Sequence, residues 1–425
     1  HIRGTDLYVT DNINHKIRKI DLRKTELADL ALSNLDDDFS TDIVVKVSSS
    51  KTAEGTVNPA SITFTPQNWN TPQTITVTGV NDDTVDGNQA YEIGLSADLG
   101  VDLEKENPEV TTFAGSGAES YADGIGTAAA FKYPKGLASD GTYLYAGSSY
   151  GNKQIRKIEL STGDVTRIYP KEKDADGNLV SLGHLGCDIE GLTTDSTITN
   201  IYYLGCSGVW QLNIASGERK RIAGATTFGN TVDGTGTSAT FNGPRGITLL
   251  DNKLYVMESA KIRVIDIANG VGEDEGVVTT LPLTFSGYSI LPQFYYSYGG
   301  ITNDGTYLYV AGGKPRIHKV DLETMTVTRF AGADDEAGTT DGQGSTARFK
   351  ALKHLTSDGT NLYVADDNRI RKINISTGYV STLTGTASSG SADGYGTSAT
   401  FNAPYGLHIR GTDLYVTDNI NHKIR

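Results

Sequence analysis

The chain has 425 residues, with 51 Asp and Glu against 37 Lys and Arg and a formal net charge of −14; so acidic a surface repels phosphate backbones and argues against nucleic acid as a partner. It carries 49 Gly and 22 Tyr but only 2 Met, 2 Trp and 2 Cys, and its Asp, Gly, Ser and Thr fall in short clusters instead of long 3.6-period runs, which reads as all-β with many short strands. No stretch approaches the 18 apolar residues of a membrane-spanning helix.

The first eighteen residues, HIRGTDLYVTDNINHKIR, recur letter for letter at 408–425, 407 positions later. Residues 1–21 therefore read as a fragment of a larger repeating object. From Leu22 to about Pro108 the character changes. "SITFTPQNW" and "QTITVTGV" alternate apolar and polar residues as half-buried strands do. A segment of this size is viable as a small β-sandwich over 22–107.

From residue 108 onward one pattern returns: a Gly-hydrophobic pair, a polar turn, "LYV", a short loop, "IRKI", then "TG.VT". Anchored on Leu144, Ile201, Leu254, Leu308, Leu362 and Leu414, the copies lie 52 to 57 residues apart. Each offers four short strands, and no single unit buries both faces of its sheet. Six units arranged radially do so, and the expectation is a six-bladed β-propeller over 108–425. The last copy lacks an outer strand. "EVTTFAG", Glu109 to Gly115, matches the outer strands elsewhere and is expected to close the sixth blade, leaving no open edge. Six blades and one insert account for the 407-residue spacing. The duplicated ends are thus expected to reflect a tandem array, with 1–21 belonging to a preceding or neighbouring propeller and copies of the chain as partners, head to tail, so that the chain is a structural unit of a cell-surface filament; an adhesin whose propeller mouth binds a glycan or protein is the alternative.

The copies resemble the NHL-repeat family of propellers. The carrying text is "DGT.LYV.D", "N..IRKI" and the connection "DGxG[TS].A.F", at 123–131, 233–241, 341–349 and 393–401. The second copy departs with "CDIEGL", and the fourth with "FYYSYGG". The insert, through 48–95, resembles Calx-β-like and related immunoglobulin-type modules of large bacterial surface proteins. That resemblance implies an extracellular, cell-surface setting and a structural or adhesive role. It also points to "VNDDTVDGN" as a calcium loop with Asp82, Asp83 and Asp86 as ligands, although one loop supplies only part of a calcium shell and a solvated acidic turn is the plain alternative.

Cys187 and Cys206 fall on the first and second strands of the second copy, where a disulfide is within reach; two buried thiols are the alternative. The repeated Asp-Gly pairs read as turn chemistry. At the start of the inner strands the six copies hold Lys135, Glu190, Arg245, Gly299, Lys353 and Tyr405, each followed by Gly except at His354. Three cations converging on the axis of an acidic protein form a candidate site for an anion, a glycan or a surface protein; ordinary solvated rim charges are the plain alternative. Some NHL-type propellers are metal-dependent lyases. Here only His354 and His408 approach the axis, without metal-ligand spacing and without a nucleophile, base and acid set, so the reading is a non-enzyme without a cofactor.

Overall fold

The computed structural model describes residues 2–3, 6–11, 16–21, 29–30, 43–49, 52, 55–64, 73–79 and 93–98. It further describes 108–149, 153–168, 170–174, 176–182, 188–195, 197, 199–205, 207–225, 230–258, 261–268, 270–285, 299–312, 314–333 and 336–425. The chain forms two compact units, His1–Glu106 and Asn107–Arg425.

The second unit is an all-β, six-bladed propeller, and each blade is one copy of the repeat. Blade one runs Pro134–Ser139, Tyr143–Ser148, Ile155–Glu159 and Asp164–Arg167, antiparallel and in chain order from the axis outward. Blades two to five start at Leu192–Thr194, Gly246–Leu250, Ile301–Asn303 and Leu352–Ser357 and end at Arg219–Ala223, Val277–Thr280, Thr326–Gly332 and Tyr379–Gly385. The "DGT.LY" signature is the first hairpin turn. Asp140 accepts the N–H groups of Thr142 and Tyr143 at 2.9 and 2.6 Å, and its second oxygen accepts the Tyr145 hydroxyl at 2.6 Å. Asp304 and Asp358 repeat this lock with Tyr309 and Tyr363.

Blade six holds Pro404–Arg410, Asp413–Asp418 and Lys423–Ile424. Its outer edge is taken by the segment that precedes blade one. Phe113 and Ala114 donate to the Ile424 carbonyl, and Ile424 donates back to Ala114 at 2.8 Å. In blades one, three and five the "DG" connection adds a fifth short strand, as in Gly124↔Val165 and Ile125↔Asp164. The equivalent pairs in blade six are Gly394↔Val110 and Tyr395↔Glu109, so residues 109–110 occupy the outer-strand position there.

Apolar burial is divided among six clusters, one between each pair of successive blades. Four of them contain the Phe of the "DGxG" connection: Phe131, Phe241, Phe349 and Phe401, all at most 1% exposed. Above each ring lies a buried arginine of the "IRKI" strand, its guanidinium 5.1–5.3 Å from the ring centroid. Arg371 donates to the backbone of Arg348 and Thr340, to Asp366 at 3.0 Å and to Asp341 at 2.6 Å. Asp341 also accepts the Thr382 N–H and hydroxyl of the outer strand. Arg156–Asp123, Arg263–Asp233 and Arg425–Asp393 repeat the clamp at 2.5–2.8 Å. These Asp residues are therefore turn formers and also the pins that hold each connection onto its blade. Blades two and four lack the connection, and the register position of the arginine is held by Trp210 and His318.

In the first unit, Ile43–Ser49 pairs with Ile93–Asp98 and Ser61–Phe64, and Gly55–Asn58 pairs with Thr76–Gly79; Val47, Ile62 and Ile75 are buried. Ile2–Arg3, Asp6–Asp11 and Lys16–Asp21 make a separate antiparallel sheet. Its pairs Ile2↔Leu7, Thr10↔Ile17 and Asp11↔Lys16 reproduce Ile409↔Leu414, Thr417↔Ile424 and Asp418↔Lys423 of blade six. Identical sequences take the same register in both places, and the sixth-blade position is held by 404–424. Cys187, Cys206, Asp82, Asp83 and Asp86 lie outside the described residues.

Candidate functional site

The six inner strands meet at the axis, and the repeat dictates how closely. The ring glycines stand where the next blade's backbone arrives. A Cβ on Gly406 would lie 2.0 Å from the Lys135 carbonyl oxygen, and one on Gly246 would lie 2.8 Å from the Ile301 nitrogen. Thr417 reinforces the same join: its hydroxyl donates to the Lys135 carbonyl at 2.9 Å and accepts the Gly406 N–H. The residues just before these positions begin the strands, so all six stand at one end of the propeller, around its mouth.

Glu190 is the hub of that ring. Lys135 Nζ lies 2.9 Å from its Oε1, Arg245 lies 3.7 Å from the same oxygen, and the Tyr405 hydroxyl donates to Oε2 at 3.1 Å. Lys135 also sits over the Tyr405 ring, 5.3 Å from its centroid. The carboxylate of blade two is thus held by side chains of blades one, three and six. Its own side chain is 16% exposed, against 11% for Lys135 and 41% for Arg245.

Lys353, from blade five, joins through its charge. Burial first, and then the ammonium of Lys135, hold its pKa below the usual lysine range, while Asp367 pulls the other way. Beside it His354 is buried, and its Nδ1 has no hydrogen-bond partner. Burial, and then the charge of His408, push His354 down to about 4; burial alone does the same to His408. Both imidazoles are therefore neutral at pH 7. Among the described residues no group of three or more His, Cys, Asp or Glu could hold a metal ion.

Of the residues singled out in the sequence, Lys135, Glu190, Arg245 and Tyr405 are in mutual contact. Lys353 is coupled to Lys135, and His354 to His408. Gly299, which carries no side chain, leaves the blade-four side of the ring as bare backbone. Sequence reasoning placed Glu190 in the ring but not at its centre. The signal was that it is the one carboxylate among three cations.

No family model matches the sequence, and no curated protein matches it. The fold is similar to that of solved structures from Bacteroides. A protein of unknown function from Bacteroides thetaiotaomicron is 20% identical over 89% of each chain, with a TM-score of 0.58. An auxiliary nutrient binding protein from the same organism is 18% identical over 82% of each chain, with a TM-score of 0.55. One from Bacteroides ovatus is 17% identical over 91% of this chain and 93% of that one, with a TM-score of 0.55. At such identities the likeness extends to the fold.

Proposed function

We propose that this chain is a binding protein of the cell exterior whose propeller mouth takes a carboxylate-bearing ligand, an acidic glycan in the first instance. The observation that carries this reading is that Lys135, Arg245 and Tyr405, from three blades, converge on a single carboxylate at the mouth, that of Glu190. Lys353 stands in the same ring, its pKa lowered by burial first and then by the charge of Lys135. Like charges kept together in a partly dehydrated site favour an anion between them, because it relieves the repulsion without rehydration. Arg245 and the neutral, buried His354 extend the same surface. Nutrient binding by two propellers of this fold is compatible with the reading. Binding is preferred to catalysis because the ring supplies cations and one hydrogen-bonded carboxylate, with neither a nucleophile and base pair nor a histidine cluster. In this reading the first unit is a small sandwich module of the Calx-β or immunoglobulin type, with Val47, Ile62 and Ile75 among its buried residues.

The test is calorimetric titration with oligogalacturonate at low and high salt. We expect binding that weakens with ionic strength and a loss of about five- to tenfold in Lys353→Met, with neutral oligosaccharides inert. Salt-independent binding, or full affinity in the variant, would remove the mouth as the site.

A second reading is favoured by the matching registers of 1–21 and 409–424: a structural array in which successive propellers share such strands and build a filament. The mass of the native polypeptide separates it from a single binding unit.

A further inference from the structure

Glu190 carries an inference that rests on the binding reading above and adds to it. Its carboxylate receives what a bound ligand carboxylate would need. One oxygen lies between an ammonium and a guanidinium, at 2.9 and 3.7 Å, and the other accepts a phenol hydrogen at 3.1 Å. Both oxygens are engaged, from three blades, and the side chain keeps 16% exposure, so it sits at the surface of the mouth and not beneath it. The donors engage both oxygens of one carboxylate, which is what a ligand carboxylate would need. We infer that Glu190 is a built-in occupant of the anion site, a tethered competitor that a monocarboxylate ligand, such as a uronic acid residue, must displace. Lys135, Arg245 and Tyr405 are then the groups that change hands.

A tethered competitor lowers apparent affinity by the fraction of time that the site is free. Glu190→Gln keeps the size and an acceptor oxygen but removes the charge. It should therefore bind glucuronate more tightly than the native chain, by about tenfold for a site occupied nine-tenths of the time. Calorimetric titration of the native chain, Glu190→Gln and Glu190→Ala with sodium glucuronate, glucose and inorganic phosphate provides the comparison, with near-ultraviolet circular dichroism checking that the variants keep their tertiary packing. Tighter glucuronate binding in either folded variant supports the occupant role. Equal or weaker binding in the variants, with the native chain binding glucuronate, overturns it and leaves the binding reading standing. Failure of native chain and variants alike to bind glucuronate overturns both. Phosphate binding that outruns glucuronate in Glu190→Gln overturns the assignment of a carboxylate.

Discussion

The Arg371 clamp shows what a single residue does for this fold. Its guanidinium is fully buried and faces Asp366, which is equally buried, and Asp341, whose side chain is 41% exposed. Burial raises the Asp366 pKa, opposed by the N–H groups of Ala351 and Lys350 and by Arg371. Removing the arginine strands a buried carboxylate and frees two carbonyls. Breaking a buried pair from one side costs about 3–5 kcal/mol, whereas an exposed pair contributes at most about 1 kcal/mol. Arg371→Met should therefore lower stability by about 3–5 kcal/mol. Glu336→Ala, which removes the 71% exposed partner of Arg348, should change it by less than about 1 kcal/mol. Urea unfolding of the two variants tests the contrast, and similar losses would show that the clamp is not the source. The clamp was half legible in the sequence. "IRKI" and "DGxG" were each visible as repeats, but nothing in a linear pattern says that the arginine of one reaches the aspartate of the other, some 30 residues earlier. The sign that was available is that both are missing together: blades two and four lose the "DGxG" connection and hold Trp210 and His318 where the arginine stands elsewhere.

At the level of elements, the decisive join is the one between 109–115 and the third strand of blade six. Ala114 is fully buried and both donates to and accepts from Ile424. Proline at this position removes the donor and misfits the ladder. Ala114→Pro should speed amide exchange across Asp413–Asp418 and Lys423–Ile424 while leaving Asn361–Asp366 of blade five protected. Uniform acceleration around the ring would mean that the blades do not open separately. The strand order, blade count and repeat period were readable because a unit with period-2 alternation and fixed turns allows few arrangements. The inner-strand glycines were readable as a column, but their reason was not: only the close approach of the next blade's backbone excludes a side chain there. The mouth was legible as a list of residues. Its geometry was not, because the partners come from blades about 55 to 215 positions apart.

For the whole molecule, three imidazoles among the described residues are held in their neutral form: the buried His318, pushed down to about 3 by burial and then by Arg316 and Arg329, the buried His354, and the partly buried His408, the last two each at about 4. The unfolded chain binds these protons near pH 6.5 and the folded chain does not. Their contribution is thus complete above pH 6.5 and is lost as pH falls from there towards 4. Displacements of that size correspond to about 3–5 kcal/mol per imidazole at most. The midpoint of urea unfolding should fall steadily between pH 7 and pH 4.5, and His318→Leu should flatten part of that slope; a flat native profile contradicts buried neutral imidazoles. The ring is also fastened unevenly: among the described residues a clamped phenylalanine joins blades six and one, two and three, four and five, and five and six, and none is described between blades one and two or three and four. Under mechanical load the seams that carry no such clamp among the described residues should part first. One of the seams is crossed at the mouth by the Lys135–Glu190 contact. Whatever occupies the mouth in place of Glu190 therefore decides how firmly that seam is latched, and a loaded propeller and an empty one should rupture at different forces.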